Sequence, residues 1–181
     1  MTFTTVSQMF NHVTNQYPSK ELYFYKKGND WLGLSGSEIR STVKDLAFGL
    51  QSLEIGKGSN VALLSNNSPR WAMSDYGIIC SGAATVSVYP TLIPNQVEYI
   101  LNNSDSKVVF AENQEQMKKV MSSWGNCPNL QYAVVMDDSN TESDDRIFNF
   151  MDFLDLGTKH EQDSETSFED LISKLEPNDL L

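Results

Sequence analysis

Apolar residues first recur at helical spacing in Val6, Met9, Phe10 and Val13, which predicts an amphipathic helix near the start of the chain. Two short aromatic-rich runs then flank Gly28-Asn29-Asp30 in "ELYFYKKGNDWLGLS", the pattern of a β-hairpin. Ser35 and Glu38 stand at capping-box spacing, and Ile39, Val43, Leu46 and Leu50 share one face of the helix that should follow.

From residue 60 the period alternates. "NVALLS", "ATVSV", "KVVFA" and "YAVVM" read as buried strands. "SPRWAMSDYGIICSG", with Pro69 in its first turn, "PNQVEYILNNS" and "NQEQMKKVMSSW" read as helices between them. Short strands separated by helices predict right-handed βαβ units, hence an α/β fold with a parallel sheet flanked by helices and an N-terminal hairpin. Residues 1–136 form this α/β part, with its folded heart at 58–136. Residues 137–181 read as an acidic loop, "DDSNTESDD", followed by two short amphipathic pieces, "IFNFMDFLDLG" and "SFEDLISKLEP". Thr166 and Glu169 have capping-box spacing ahead of the second piece, and the intervening "TKHEQDSET" reads as a solvated linker. The chain stops at Pro177-Asn178-Asp179-Leu180-Leu181, where an apolar run begins, and so reads as cut from a longer polypeptide.

Composition narrows the function classes. At 181 residues with 40% apolar side chains, the chain can build a proper core. The net charge of -11 is uneven: residues 1–136 carry ten acids and ten bases, residues 137–181 fourteen acids and three bases. That balance argues against nucleic acid as a partner, because phosphate backbones need clustered Lys and Arg. No window approaches the roughly 18 apolar residues of a membrane helix. The polar N-terminus, from Met1 and Thr2 onward, lacks the basic and apolar regions of a signal peptide, so a cytoplasmic location and at most peripheral membrane contact are expected.

Catalytic chemistry is not visible in the residues themselves. Cys80 and Cys127 have neither the spacing nor the neighbours of a zinc site or disulfide framework and read as idle thiols. Gly56-Lys57-Gly58-Ser59 precedes a strand instead of joining strand to helix, so it is a turn and not a phosphate loop. Ser35 in "GLSGS" is one residue out of register for a nucleophile elbow and serves better as a cap. His12 and His160 lack partners at defined spacing. The sequence therefore offers no catalytic residue and no metal ligand. One stretch remains, "VSVYPTLIP": Tyr89, Pro90 and Thr91 end a strand on the side where open parallel sheets bind ligands. They either stop the strand and pack its end, or face a ligand.

The segment "LLSNNSPRWAMSDYGIICSGAATVSVYPTLIPNQVEYILNNSDSKVVFAEN" resembles the N-terminal part of long-chain acyl-CoA synthetases, of the adenylate-forming superfamily. Asn67, Pro69, Trp71, Asp75, Gly82, Ala83, Val88, Tyr89, Pro90, Thr91, Gln96, Tyr99, Lys107 and Phe110 fit that family's pattern. Ser68 stands where the family usually has Arg, Arg70 where it has Glu, and Ser87 where it has Pro. The resemblance runs from about Thr5 to Met136, and weakly through "FLDLG" and "EPNDLL", the latter similar to residues that precede the family's phosphate loop.

That resemblance implies an ATP-dependent ligase that activates a long-chain fatty acid as acyl-adenylate and transfers it to CoA, using ATP, Mg2+ and CoA. It implies that Tyr89, Pro90, Thr91 and Lys118 face CoA. It also implies that this chain, lacking the phosphate loop, the acyl pocket and the mobile C-terminal domain, is inactive alone, binds no cofactor tightly and self-associates through surface left uncovered. Fatty-acyl-AMP or aryl-CoA ligases, and a non-catalytic α/β interaction module, are the alternatives.

Overall fold

The computed structural model describes residues 3–180; Met1, Thr2 and the terminal Leu181 lie outside it. Helix α1 (Val6–Gln16) leads into the hairpin β1 (Glu21–Lys27) and β2 (Asp30–Ser35). Its two-residue loop closes on the pair Lys27–Asp30, and Gly28 takes φ 62°, the positive value a tight hairpin turn demands at its first position. Helix α2 (Gly36–Ser52) starts on the expected capping box: Ser35 Oγ accepts from the Glu38 amide, while Glu38 accepts from the Ser35 amide at 2.8 Å. Ile39, Val43, Leu46 and Leu50, the predicted face, are all buried.

Five strands form the parallel sheet: β3 (Asn60–Leu64), β4 (Ala84–Val88), β5 (Ser106–Ala111), β6 (Tyr132–Val135) and β7 (Ile147–Asn149), in the order β4-β3-β5-β6-β7. Between them run α3 (Pro69–Ser81), α4 (Pro94–Asn103) and α5 (Gln114–Ser123), the last continued by a 3₁₀ turn at Trp124–Asn126. α6 (Phe150–Asp163) and α7 (Phe168–Ser173) complete the chain. Alternate strand residues serve opposite cores. Val61, Leu63, Val108, Phe110 and Val134 pack with α2, α3 and α6; Ala62, Leu64, Val109, Ala111 and Val135 pack with α4 and α5. A central strand buried on both faces reads as an unbroken apolar run, which is why these strands were legible.

Four local readings change. Ile147–Asn149 is a strand on β6, not part of an amphipathic helix, and α6 starts immediately after it. The same helix runs on through Thr158–Asp163, so the supposed solvated linker is its last turns, held by Lys44 bonding Glu161. The capping box of α7 is built on Ser167 and Asp170, one residue beyond the pair expected, because Ser167 sits in extended geometry with its hydroxyl 3.1 Å from the Asp170 amide. Ser167→Ala is therefore expected to cost about 1 kcal/mol of stability, and Thr166→Ala far less, in parallel denaturant melts. α1 is also rolled relative to its apolar stripe. Phe10 is buried against Tyr76, but Ser7 and Thr14 share its buried face while Val6 and Met9 stay about 38–39% exposed. The inward Thr14 hydroxyl is satisfied by the Phe10 carbonyl at 2.9 Å.

Candidate functional site at the carboxyl edge of the sheet

The order of the parallel strands places β3 and β5 side by side with connections leaving to opposite faces: α3 packs on the face of α2 and α6, α5 on the face of α4. That divergence is the topological switch point where doubly wound sheets leave a crevice for ligands. In this chain the crevice is bridged by side chains. The backbone amide and Nδ2 of Asn66, just past β3, both donate to Glu112 Oε2, just past β5, at 3.1 and 2.8 Å. Ser68 caps α3 by accepting from the Trp71 amide, and Asn113 caps α5 by accepting from the Gln116 amide.

Beside this bridge Arg70 reaches from the first turn of α3 to the loop after β6. Its guanidinium donates to the Met136 carbonyl and, at 2.6 Å, to Asp138 Oδ2, while stacking 4.7 Å above the Phe150 ring. Asp138 Oδ1 in turn accepts from the Met151 amide in the first turn of α6. Lys27, Ser68, Arg70, Glu112, Met136 and Asp137 line the open groove that results. Its wall carries two acids, Glu112 and Asp137, and two bases, Lys27 and Arg70, so the groove is of mixed charge, and no cluster of three His, Cys, Asp or Glu side chains fit for a metal ion occurs among the described residues.

The Tyr89 turn lies one strand over, beyond edge strand β4. The Leu92 amide donates to the Tyr89 carbonyl at 3.2 Å, closing a β-turn with Pro90 at its second position. Tyr89 is 77% exposed and Thr91 is exposed too, so packing does not account for the ring. From α5, Lys119 Nζ donates to the Pro90 carbonyl at 2.5 Å, and Ser123 Oγ, four residues on, donates to the Pro94 carbonyl at 3.4 Å. One face of α5 thus clamps the turn. The structure brings Tyr89, Pro90 and Thr91 together, and the lysine that holds them is Lys119; Lys118 is exposed on the same helix. Sequence spacing alone could not choose between two adjacent lysines.

The discarded motifs fall where their readings put them. Gly56–Ser59 is a turn at the opposite end of β3, with Gly58 at φ 81° and Lys57 paired to Asp179 at 2.6 Å. Both cysteines are buried, and burial pushes the Cys80 thiol up to about 12, leaving it protonated and inert. On α3, burial also raises the Asp75 carboxyl and the Tyr76 phenol. In the acidic loop the Arg146 guanidinium, bonding Asp144 through two side-chain contacts, holds that carboxyl down at about 2.

Sheet order, helices on both faces and connections that diverge between β3 and β5 define a doubly wound α/β protein. The AMP-binding enzyme family pattern matches residues 10–173, and the chain belongs to that family. It is 24% identical over 174 residues to the long-chain-fatty-acid–CoA ligase ACSBG1 of Rattus norvegicus, covering 96% of this chain and 24% of that protein. It is 26% identical over the same length to ACSBG2 of Xenopus laevis, and 30% identical over 117 residues to FadD15 of Mycobacterium tuberculosis, which covers 65% of this chain and 20% of that protein. The chain thus spans about a quarter of the relatives it matches. Among solved structures it resembles the anthranilate CoA ligase AuaEII, with a TM-score of 0.71 and 22% identity over 82% of this chain and 27% of that one. No described helix is long and apolar enough to cross a membrane.

Proposed function

We propose that this chain is part of an ATP-dependent ligase that activates a long-chain fatty acid and transfers it to CoA in the cytoplasm. The observation that carries this reading is the match, over 96% of the chain, to relatives named long-chain-fatty-acid–CoA ligases. In that reaction a carboxylate oxygen attacks the α-phosphorus of ATP and pyrophosphate leaves; the CoA thiol then attacks the acyl carbonyl and AMP leaves. ATP, its Mg2+ and the acyl chain are assigned to parts of the relatives' length that this chain does not span, and on this reading the chain alone is inactive.

What these residues contribute is a wall for CoA. The exposed Tyr89 ring is a stacking platform, Thr91 offers a hydroxyl, and Lys118 is a cation for a phosphate. The exposure of Tyr89 and Thr91 supports this edge, since packing does not account for the ring. The test uses the longest polypeptide that carries this chain. Palmitate should drive ATP–pyrophosphate exchange where anthranilate does not, and the reverse would shift the reading to an aryl-CoA ligase. Tyr89→Ala should raise the KM for CoA about tenfold, about 1.4 kcal/mol, with exchange unchanged. An unaltered KM removes the CoA contact.

A further inference from the structure

The hairpin carries a surface that the proposed chemistry does not use. Its two-residue loop closes on Lys27–Asp30, so the odd members Lys27, Tyr25 and Tyr23 exchange their backbone bonds with Asp30, Leu32 and Leu34. Lys26 and Phe24, opposite Trp31 and Gly33, therefore turn their N–H and C=O groups away from β2. A bulge between Glu21 and Tyr23 takes up one residue, so Glu21, opposite Ser35, also points outward. Among the described residues these outward groups have no backbone partner. They face an open groove of about 670 Å³, lined by Leu22 to Lys26 on one side and by Asn67, Pro69 and Ala72 on the other. Five consecutive strand residues along one wall mark the groove as the free edge of β1.

We propose that this edge pairs with β1 of a second copy of the chain, antiparallel about a two-fold axis through Phe24. The register follows from the ladder. Ser35 and Trp31 each lie two positions from Gly33 on β2, so their partners Glu21 and Lys26 are equidistant from Phe24. A two-fold at Phe24 then sets every outward group against an outward group: Phe24 against Phe24, and Glu21 against Lys26 in both directions. The side chains agree with the backbone. Glu21 lies across Gly33, the cross-strand neighbour of Phe24, so Glu21, Phe24 and Lys26 share one face of the hairpin. Opposite charges thus flank a central aromatic pair, a combination that stabilises cross-strand contacts. An axis at Tyr23 leaves Lys26 beyond the paired residues, and one at Tyr25 leaves Glu21 beyond them, so neither matches carboxylate to ammonium.

Phe24 is 58% exposed and its diagonal neighbour Trp31 69%, an apolar surface of the kind that marks a contact. Pairing also closes. Each copy uses its single β1 edge, which leaves β2 outermost and yields a dimer of hairpins instead of an open fibre. The partner is another copy because the strand is its own electrostatic complement, a property an unrelated strand has no reason to share.

Sedimentation of this chain across a concentration series at low salt should show a reversible dimer, with hydrogen-exchange protection of the Phe24 and Lys26 amides rising with concentration while that of Tyr25 stays constant. Glu21→Lys or Lys26→Glu alone should weaken the dimer at least about tenfold, and the two together should restore it to within about threefold. Phe24→Pro removes an outward N–H that β2 does not use and should give a monomer. The charge swaps keep the test decisive if that proline variant proves unstable. A parent chain that is monomeric at all concentrations overturns the proposal. So does a dimer that ignores the single swaps, or one whose single swaps weaken it without rescue by the pair.

Discussion

Gly157→Ala is expected to destabilise the protein by about 3 kcal/mol or more, lowering its melting temperature by about 10 °C. Near its C-terminal half α6 crosses α2 so closely that a methyl group on Gly157 would land on the Asp45 carbonyl and 2.8 Å from the Gly49 amide nitrogen. Both neighbours are backbone, which cannot swing aside as a side-chain tip would. On α2 the closeness is matched by Gly49, where a Cβ would meet the ring of Phe153 at 2.8 Å. The gap left by the two glycines lets Phe153 reach the sheet, where its ring sits edge-on to Phe110 at 5.5 Å and near Phe148 at 5.7 Å. Alanine would therefore push α6 outward and open the core beneath it. Helix propensity runs the other way, since Gly→Ala in a free helix gains close to 1 kcal/mol. Thermal melts of Gly157→Ala beside Gly125→Ala, a site where a Cβ meets nothing within 4 Å, separate the two effects; equal melting temperatures would discard the close crossing.

Arg70→Ala is expected to cost about 2 kcal/mol. The guanidinium makes three contacts at once: the Met136 carbonyl, the Asp138 carboxylate and the face of Phe150. Removing it strands Asp138, which sits at φ 60° and positions the start of α6 through the Met151 amide. Arg70→Lys should recover less than half of the loss, because an ammonium cannot bond a carbonyl and a carboxylate in one plane while lying flat on a ring. A double-mutant cycle with Asp138→Ala should show coupling of about 1 kcal/mol. Additive losses would mean the pair is incidental.

Elements whose stability is local were legible in advance. The four strands β3 to β6 announced themselves as short apolar runs, and α2 and α3 by Ser35 and Pro69 at their starts. The readings failed where tertiary contacts outweighed local pattern. Ile147-Phe148-Asn149 has too few residues to show a period, and becomes a strand only because β6 offers it a ladder. "TKHEQD" is polar because it is the outer end of α6, and it is helical because the apolar half of that helix is anchored beneath α2. The candidate site divides in the same way. Tyr89-Pro90-Thr91 could be placed at a carboxyl edge from the strand-to-helix punctuation alone. That Lys119 and not Lys118 grips the turn depends on the azimuth of α5 against β4, and that azimuth is set by Met117 and Val120 in the core.

By itself, then, the sequence determined the α/β class, the parallel arrangement, the capped start of α2 and the family resemblance, since each rests on residues near one another in the chain. The tertiary structure alone decided the strand order, the acidic bridge across the switch point, the glycine crossing of α2 and α6, and the outward-facing edge of β1. Each of these depends on distances between residues far apart in the chain, which side-chain period and capping signals do not encode.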